Sequence, residues 1–171
     1  MKSHKELVEI GYRWLLRTKP RNMRTEYSAC RVAFKEVSNL MKEEPDVIGF
    51  RSEASILVEC KATRQDFLSD KTKEFRKCPE QGMGQYRFYL VNKDVVETSE
   101  ITNGWGLLVA QKNNVRILKD SKEFESFNYM AERELLTKLL NRIAYFNLLD
   151  LINDARYRAI IYEFDCDETK E

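Results

Sequence analysis

The chain has 171 residues, 43% of them hydrophobic and 11% aromatic, which is enough to bury the core of one domain of ordinary size. Its 29 basic residues nearly balance its 28 acidic ones, so a positive field over the whole molecule is excluded and a nucleic-acid surface must be local. Widely spaced cysteines with a single histidine, His4, argue against a structural zinc site. The lack of a signal-peptide or membrane-spanning apolar run predicts a cytoplasmic protein with reduced thiols and no membrane partner.

The N-terminal segment predicts a helix, a basic loop and a strand. Ser3 followed by Glu6 is a capping-box pattern, and apolar residues then recur at helical spacing, so a first helix is expected near residues 4–17. The polar, basic segment 18–29 is a candidate phosphate-contact patch. A strand over 30–37 should follow it.

Two more strands are predicted to form a hairpin. The segment 45–50 is short and apolar and begins with a proline, and apolar and polar residues alternate with period two over the segment 55–62. The polar link between them is short, which favours an antiparallel pairing.

The second half of the chain predicts a helix over 64–77 that ends before Pro79, and then three strands. The strands are expected at 86–91, 105–110 and 115–118, the last two joined by a short turn.

Leucines and other apolar residues at three- and four-residue intervals predict a long amphipathic C-terminal helix over about 126–152. Residues 155–164 are ambiguous between helix and strand, and the acidic tail 165–171 should be frayed. With no internal repeat or linker, residues 1–171 are predicted to form a single α/β domain of order α-β-β-β-α-β-β-β-α, a mixed central sheet flanked by helices.

Two carboxylates and a lysine are expected to converge on the predicted hairpin. Residues two apart in a strand share a face, so Glu59 and Lys61 point one way and Cys60 the other. A turn at residues 52–53 places Asp46 across from Glu59. Like charges so close repel unless a cation neutralises them, so the pair predicts a Mg²⁺ or Mn²⁺ site with Lys61 beside the ion.

This trio suits phosphodiester cleavage, which needs neutralised charge on the phosphoryl oxygens and an activated water. The cation repulsion and partial burial expected at Lys61 would lower its pKa, so that it orients or deprotonates the water. A surface ion pair is the simpler alternative for the same residues.

The motifs also resemble a known family. EPDVIGF at 44–50 and ILVECK at 56–61 are similar to the core motif of the PD-(D/E)XK nuclease superfamily, which includes restriction endonucleases, Holliday-junction resolvases and repair nucleases. A longer likeness, over about residues 30–118, is to MmcB-type DNA-repair proteins and related phage proteins. It is carried by ECKATRQDFLSDK at 59–71, YRFYL at 86–90 and GWGLL at 104–108.

The resemblance implies a restriction-endonuclease-like fold and a Mg²⁺-dependent deoxyribonuclease acting in DNA repair, recombination or phage DNA processing. It implies that Asp46 and Glu59 bind the metal, that the carbonyl of Cys60 joins them, and that Lys61 is catalytic. The expected partner is DNA.

In archaeal junction resolvases of this superfamily a glutamate on the first helix adds a metal ligand. Glu9 is the candidate here, with Glu6 second. Glu9 lies opposite the apolar stripe and pairs at i,i+4 with Arg13, so a solvent-exposed salt bridge is an equal alternative. Glu6 is more simply a capping residue.

Several alternatives remain open at the level of sequence. A DNA-binding accessory module that keeps the fold without cutting is the main rival function. Homodimer formation through the helix 126–152 is compatible with either. Asp66, three residues after Thr63, is better explained as a helix cap than as a site residue. The basic residues within 71–77 either contact phosphates or form an ordinary solvated helix face.

Overall fold

The computed structural model describes residues 1–17, 30–37, 43–101, 104–112 and 114–153. The chain divides into two compact units, Met1–Glu132 and Arg133–Glu171. The basic loop 18–29 and the segment 154–171 lie outside the described residues. The single domain over 1–171 stays a prediction.

Six strands form one mixed sheet whose order follows the chain. They are β1 (Val32–Lys35), β2 (Val47–Phe50), β3 (Ser55–Lys61), β4 (Tyr86–Val91), β5 (Gly106–Ala110) and β6 (Val115–Lys119). β1, β2 and β3 pair antiparallel, β3, β4 and β5 run parallel, and β6 returns antiparallel to β5. Every predicted strand forms with its ends within two residues of those expected, and the mixed α/β architecture is confirmed.

The first helix, α1 (His4–Leu15), begins at the predicted capping box. The carboxylate of Glu6 accepts from Ser3 N at 2.8 Å, and Ser3 Oγ accepts from Glu6 N at 3.3 Å. Its apolar stripe, including Leu7 and Trp14, is buried against the sheet. This packing holds the first turn of α1 near the start of β2 and the end of β3.

The crossover from β3 to β4 contains two helices, α2 (Arg64–Lys71) and α3 (Glu74–Lys77), so the prediction of one helix over 64–77 is wrong. The cause lies at Thr72, whose hydroxyl and backbone N–H both donate to Ser69 O, at 2.7 and 3.3 Å. These bonds tighten the last turn and end α2, because a threonine side chain competes with the backbone for hydrogen bonds.

The long C-terminal helix is also shorter than predicted. α4 (Tyr129–Tyr145) is followed by a separate α5 (Leu149–Asn153). Asn147 adopts φ +55°, donating to Ala144 O, and Leu148 N donates to Ile143 O, which is the Schellman pattern of a helix end. No helix in the described ranges is long and apolar enough to span a membrane.

The two faces of β3 have different partners, as its period-two pattern predicted. Val58 and Cys60 belong to the apolar core beneath α1. On the other face Glu59 is in register with Tyr89, whose ring packs edge-on against Phe67 of α2, with centroids 5.1 Å apart. All seven residues of β3 are buried, so any charge on the α2 face is a buried charge.

Candidate active site

The end of β3 brings three predicted residues together. The hairpin register pairs Val47 with Val58. Because the two strands are antiparallel, the residue before Val47 lies opposite the residue after Val58, which places Asp46 beside Glu59. Lys61 Nζ lies 2.8 Å from Glu59 Oε2 and 3.8 Å from Asp46 Oδ2. The predicted convergence of the two carboxylates and the lysine is therefore present.

Asp46 lies at the start of β2 and is largely buried. Its Oδ2 accepts a hydrogen bond from Cys60 N at 2.7 Å, which ties the carboxylate to β3. Burial and the neighbouring charge of Glu59 raise the pKa of Asp46 to about 6, against the opposing effect of Lys61. Burial disfavours the charged carboxylate and Glu59 repels it, and together these effects outweigh the stabilisation by Lys61 and by the Cys60 N–H.

Glu59 is 2% exposed, yet its surroundings favour its charged form. Burial would raise its pKa, but the charges of Arg76 and Lys61 outweigh burial and hold the pKa below its ordinary value. Glu59 Oε1 lies 3.1 Å from Arg76 Nη2 without hydrogen-bonding geometry, and accepts no hydrogen bond from the described residues. One oxygen of the carboxylate thus remains an unused acceptor.

Lys61 is surrounded by carboxylates. Burial alone would lower its pKa, but Glu59, Asp70 and Asp46 outweigh it and, without a bound cation, raise the pKa above the ordinary value. The expected lowering of the Lys61 pKa beside a bound cation stays a prediction. The side chain is a firmly held ammonium, suited to donating hydrogen bonds and stabilising negative charge rather than to removing a proton.

Asp70 on α2 is a site residue that the sequence did not reveal. It is 2% exposed, its Oδ1 lies 3.1 Å from Lys61 Nζ, and its Oδ2 accepts from Tyr89 Oη at 2.9 Å. Burial would raise its pKa, but Arg76 and Lys61 hold it well below the usual range. The available signal was helical spacing, because Asp70 follows the apolar Phe67 by three residues and shares its inward face.

The solvated-face alternative for residues 71–77 is wrong at Arg76. Its side chain is 4% exposed and pairs with Asp70, Glu59 and Glu43. Glu43 lies outside every motif that the sequence offered, and no local pattern marks either residue as buried.

His4 is the residue of α1 that reaches the site. Its Nδ1 lies 3.2 Å from Cys60 O, and its Nε2 lies 3.5 Å from Asp46 Oδ1 and 3.9 Å from Glu36 Oε1. The ring therefore faces the very carbonyl and carboxylate oxygens that the resemblance assigns to a metal. The sequence offered no signal for this contact beyond the capping box that starts α1 at His4.

The two candidate glutamates of α1 are engaged elsewhere. Glu9 contacts Arg13 Nε at 2.9 Å and Lys35 Nζ at 2.5 Å, so its contacts are those of the salt-bridge alternative rather than those of a metal ligand. Glu6 is the capping residue of α1. Asp66 likewise caps α2, accepting from Thr63 N at 3.0 Å.

An open cleft of about 280 Å³ adjoins Lys61. It is lined by His4, Cys60, Lys61, Asp66, Ser69, Asp70 and Lys73. Lys73 is half-exposed and lies 3.0 Å from Asp70. Lys61, although only 7% exposed, therefore borders a space that is open to solvent.

A divalent cation fits this cluster by charge and by donor chemistry. Four carboxylates, from Glu43, Asp46, Glu59 and Asp70, face two buried cations, from Lys61 and Arg76. The carboxylates of Asp46 and Glu59 with the carbonyl of Cys60 are hard oxygen donors of the kind that Mg²⁺ and Mn²⁺ prefer. The described residues contain no preassembled group of three or more His, Cys, Asp or Glu ligands.

Comparison with known proteins identifies a fold but no family. No family model matches the chain, and no curated protein matches it. A solved structure, the SPO1766 protein of unknown function from Silicibacter pomeroyi, is similar with a TM-score of 0.50 and 18% identity. The match covers 70% of this chain and 81% of that one. At this identity the likeness concerns the fold alone.

Proposed function

We propose that this chain is a Mg²⁺- or Mn²⁺-dependent nuclease of the PD-(D/E)XK type that hydrolyses DNA phosphodiester bonds. The observation that carries the proposal is the convergence of Asp46 and Glu59 on Lys61, which lines an open cleft, within a cluster that has more carboxylates than cations. Over residues 4–91 the α-helices and strands follow the order α-β-β-β-α-α-β, which has one α-helix more than the restriction-endonuclease-like order α-β-β-β-α-β. A role in DNA repair, recombination or phage DNA processing rests on the resemblance alone.

Asp46, Glu59 and the Cys60 carbonyl would hold the cation. When bound, such an ion neutralises charge on a phosphoryl oxygen and makes a coordinated water more acidic. It would also relieve the repulsion that raises the pKa of Asp46.

Lys61 would act as a hydrogen-bond donor at the reacting phosphate. Its ammonium lines the cleft and is held by Glu59 and Asp70, so it is positioned before substrate arrives. A fixed cation aimed at developing negative charge lowers the barrier without reorganisation. His4 and Lys73, also at the cleft, would donate to the other phosphate oxygens.

A specific observation also favours the non-cleaving DNA-binding module. Lys61 and Arg76 already face the two oxygens of Glu59, at 2.8 and 3.1 Å. The charge of a buried carboxylate flanked by two cations is compensated without a metal. In this alternative the cluster is purely structural.

The deciding experiment is cleavage of end-labelled duplex, single-stranded and branched DNA, with Mg²⁺, with Mn²⁺ and with chelator. We expect metal-dependent cleavage by the wild type, a loss of roughly 100-fold or more in Asp46→Asn, and little change in Glu9→Gln, whose carboxylate pairs outside the site. DNA binding without cleavage under every metal condition would favour the accessory module instead.

A further inference from the structure

A buried arginine, Arg76, supports the site from behind. It belongs to α3, its side chain is 4% exposed, and it is absent from the lining of the cleft. Its guanidinium carbon lies 4.7 Å from the ring centroid of Phe75 and 4.8 Å from that of Trp105. A guanidinium packed on two rings has little freedom to turn.

Arg76 contacts three carboxylates that come from separate parts of the chain. Its Nε donates to Asp70 Oδ2 at 2.7 Å, and its Nη2 lies 3.1 Å from Glu59 Oε1. Its Nη1 donates to Glu43, whose other oxygen accepts from Met83 N at 2.6 Å. One planar group therefore fixes the relative positions of all three carboxylates.

Two of these carboxylates are the partners that hold Lys61. Glu59 turns Oε1 to Arg76 and Oε2 to Lys61, so its carboxylate is constrained from both sides. Asp70 turns Oδ2 to Arg76 and Oδ1 to Lys61. Charge balance alone would need only a point charge, whereas contact with three carboxylates at once uses the shape of the guanidinium fork.

We propose that Arg76 is a positioning residue that fixes Glu59 directly and Lys61 through Asp70, and thereby sets the affinity of the site for a divalent cation. This inference rests on the proposed function, because it concerns the same cation. Arg76 acts only through the groups that it holds. Partners that orient metal ligands typically change metal affinity by about 10- to 100-fold when they are altered.

The test compares Arg76→Lys with Arg87→Lys in the full chain. Arg87 is a matched control because it is 1% exposed but donates to the carbonyl oxygens of Gly84, Pro79 and Gly82 rather than to the cluster. Mn²⁺ affinity is measured by isothermal titration calorimetry at one pH, on protein shown to be folded by circular dichroism. We expect Arg76→Lys to weaken Mn²⁺ binding about tenfold or more, and Arg87→Lys to leave it within about twofold.

A second variant guards against a folding defect. An ammonium at position 76 cannot reach all three carboxylates. The double variant Arg76→Lys with Glu43→Gln therefore removes the charge of Glu43, the carboxylate that does not face Lys61. Glu43→Gln alone controls for this change of charge. The double variant should also bind Mn²⁺ about tenfold more weakly than its Glu43→Gln control.

The possible outcomes distinguish a failure of the inference from a failure of the proposed function. If the wild type binds Mn²⁺ and the Arg76 variants bind it within twofold of their controls, the inference is overturned while the proposed function stands. If both Arg76 variants unfold while Arg87→Lys folds, Arg76 is a structural residue and the inference fails. If the wild type itself binds no Mn²⁺, the proposed function fails and takes the inference with it.

Discussion

At the scale of single residues, Lys61 is surrounded by more negative charge than one ion pair would supply. Its Nζ lies 2.8 Å from Glu59, 3.1 Å from Asp70 and 3.8 Å from Asp46. Because these carboxylates raise its pKa, the side chain is charged at neutral pH. In catalysis the side chain would act as a positive charge held in a fixed position.

Replacing Lys61 by alanine should separate structure from chemistry. The change leaves buried carboxylates without their cation, so we expect the free energy of unfolding without metal to fall by about 3–5 kcal/mol. Mn²⁺ should restore part of this loss. DNA cleavage should fall roughly 100-fold or more and stay low with metal. Lys61→Arg should also be nearly inactive, because the planar fork needs different space.

Thermal melts followed by circular dichroism and cleavage of end-labelled DNA would measure both effects. Lys35→Ala is the control, since Lys35 pairs with Glu9 outside the site. Cleavage by folded Lys61→Ala at close to the wild-type rate would refute the role given to this residue.

Asp46 should impose a pH dependence on stability. Its folded pKa is about 6, above its ordinary value of 3.8, so the folded chain keeps a proton that the unfolded chain has released. Stability from this group is therefore full below about pH 4 and is lost as the pH rises through about 6.

Denaturant melts at several pH values, in chelator, would isolate this effect as the difference between wild type and Asp46→Asn. We expect the wild type to lose roughly 1–3 kcal/mol relative to the variant between acid and neutral pH. Added Mn²⁺ should cancel the loss, since a bound cation favours the ionised carboxylate. Parallel curves for the two proteins would contradict the raised pKa.

At the scale of elements, the N-terminus of α2 places Asp70 in the site. Thr63 Oγ1 accepts from Asp66 N at 3.2 Å, and Asp66 accepts from Thr63 N at 3.0 Å, so the capping box is reciprocal. Phe67, 0% exposed, then anchors the helix to the sheet one turn before Asp70 is reached. The cap and the anchor together fix the helix that carries the carboxylate.

Thr63→Ala should cost about 1 kcal/mol of unfolding free energy, within a range of roughly 0.5–2, because one N-terminal donor loses its acceptor. Metal affinity should change by less than about threefold, since Phe67 still anchors α2. Urea melts and Mn²⁺ titration would measure the two effects, with Thr98→Ala as a control at a threonine that is the first residue of a 3₁₀ turn rather than its N-cap. A loss of metal binding without a loss of stability would contradict this role.

Local patterns in the sequence predicted the strands and half of the site. Asp46, Glu59 and Lys61 belong to one hairpin, so period two and a short turn were enough to bring them together. The ends of the helices were harder to predict. They depend on the hydrogen bond from Thr72 to Ser69 O and on the positive φ of Asn147, which the residue types alone do not indicate.

The remainder of the site depends on tertiary packing. His4, Glu43 and Arg76 reach the cluster from α1, from the segment before β2 and from α3. No periodicity links such distant positions, and an arginine within a basic run is usually solvated. The raised pKa of Lys61 depends in part on Asp70, a carboxylate that the sequence did not reveal.

At the scale of the whole molecule, the net charge of +1 limits how DNA can be attracted. Lys73 is half-exposed at the cleft but shares its charge with Asp70. We therefore expect modest DNA affinity that falls as salt rises, with a slope equivalent to a few phosphate contacts, each about 0.9 in log–log units. Filter binding at several salt concentrations, in Ca²⁺ to limit turnover, is the measurement, and an affinity unaffected by salt would contradict a phosphate-contacting surface.

The sheet order has a consequence for how the protein folds. Since every strand lies beside the strand that precedes it in the chain, each new strand can add to an edge that already exists. The β2–β3 hairpin closes a short loop, whereas the parallel pairing of β3 with β4 must wait for the whole α2–α3 crossover. The two carboxylates are thus expected to meet early, before Asp70 and Arg76 arrive to hold Lys61, and the nascent hairpin must tolerate that repulsion in water.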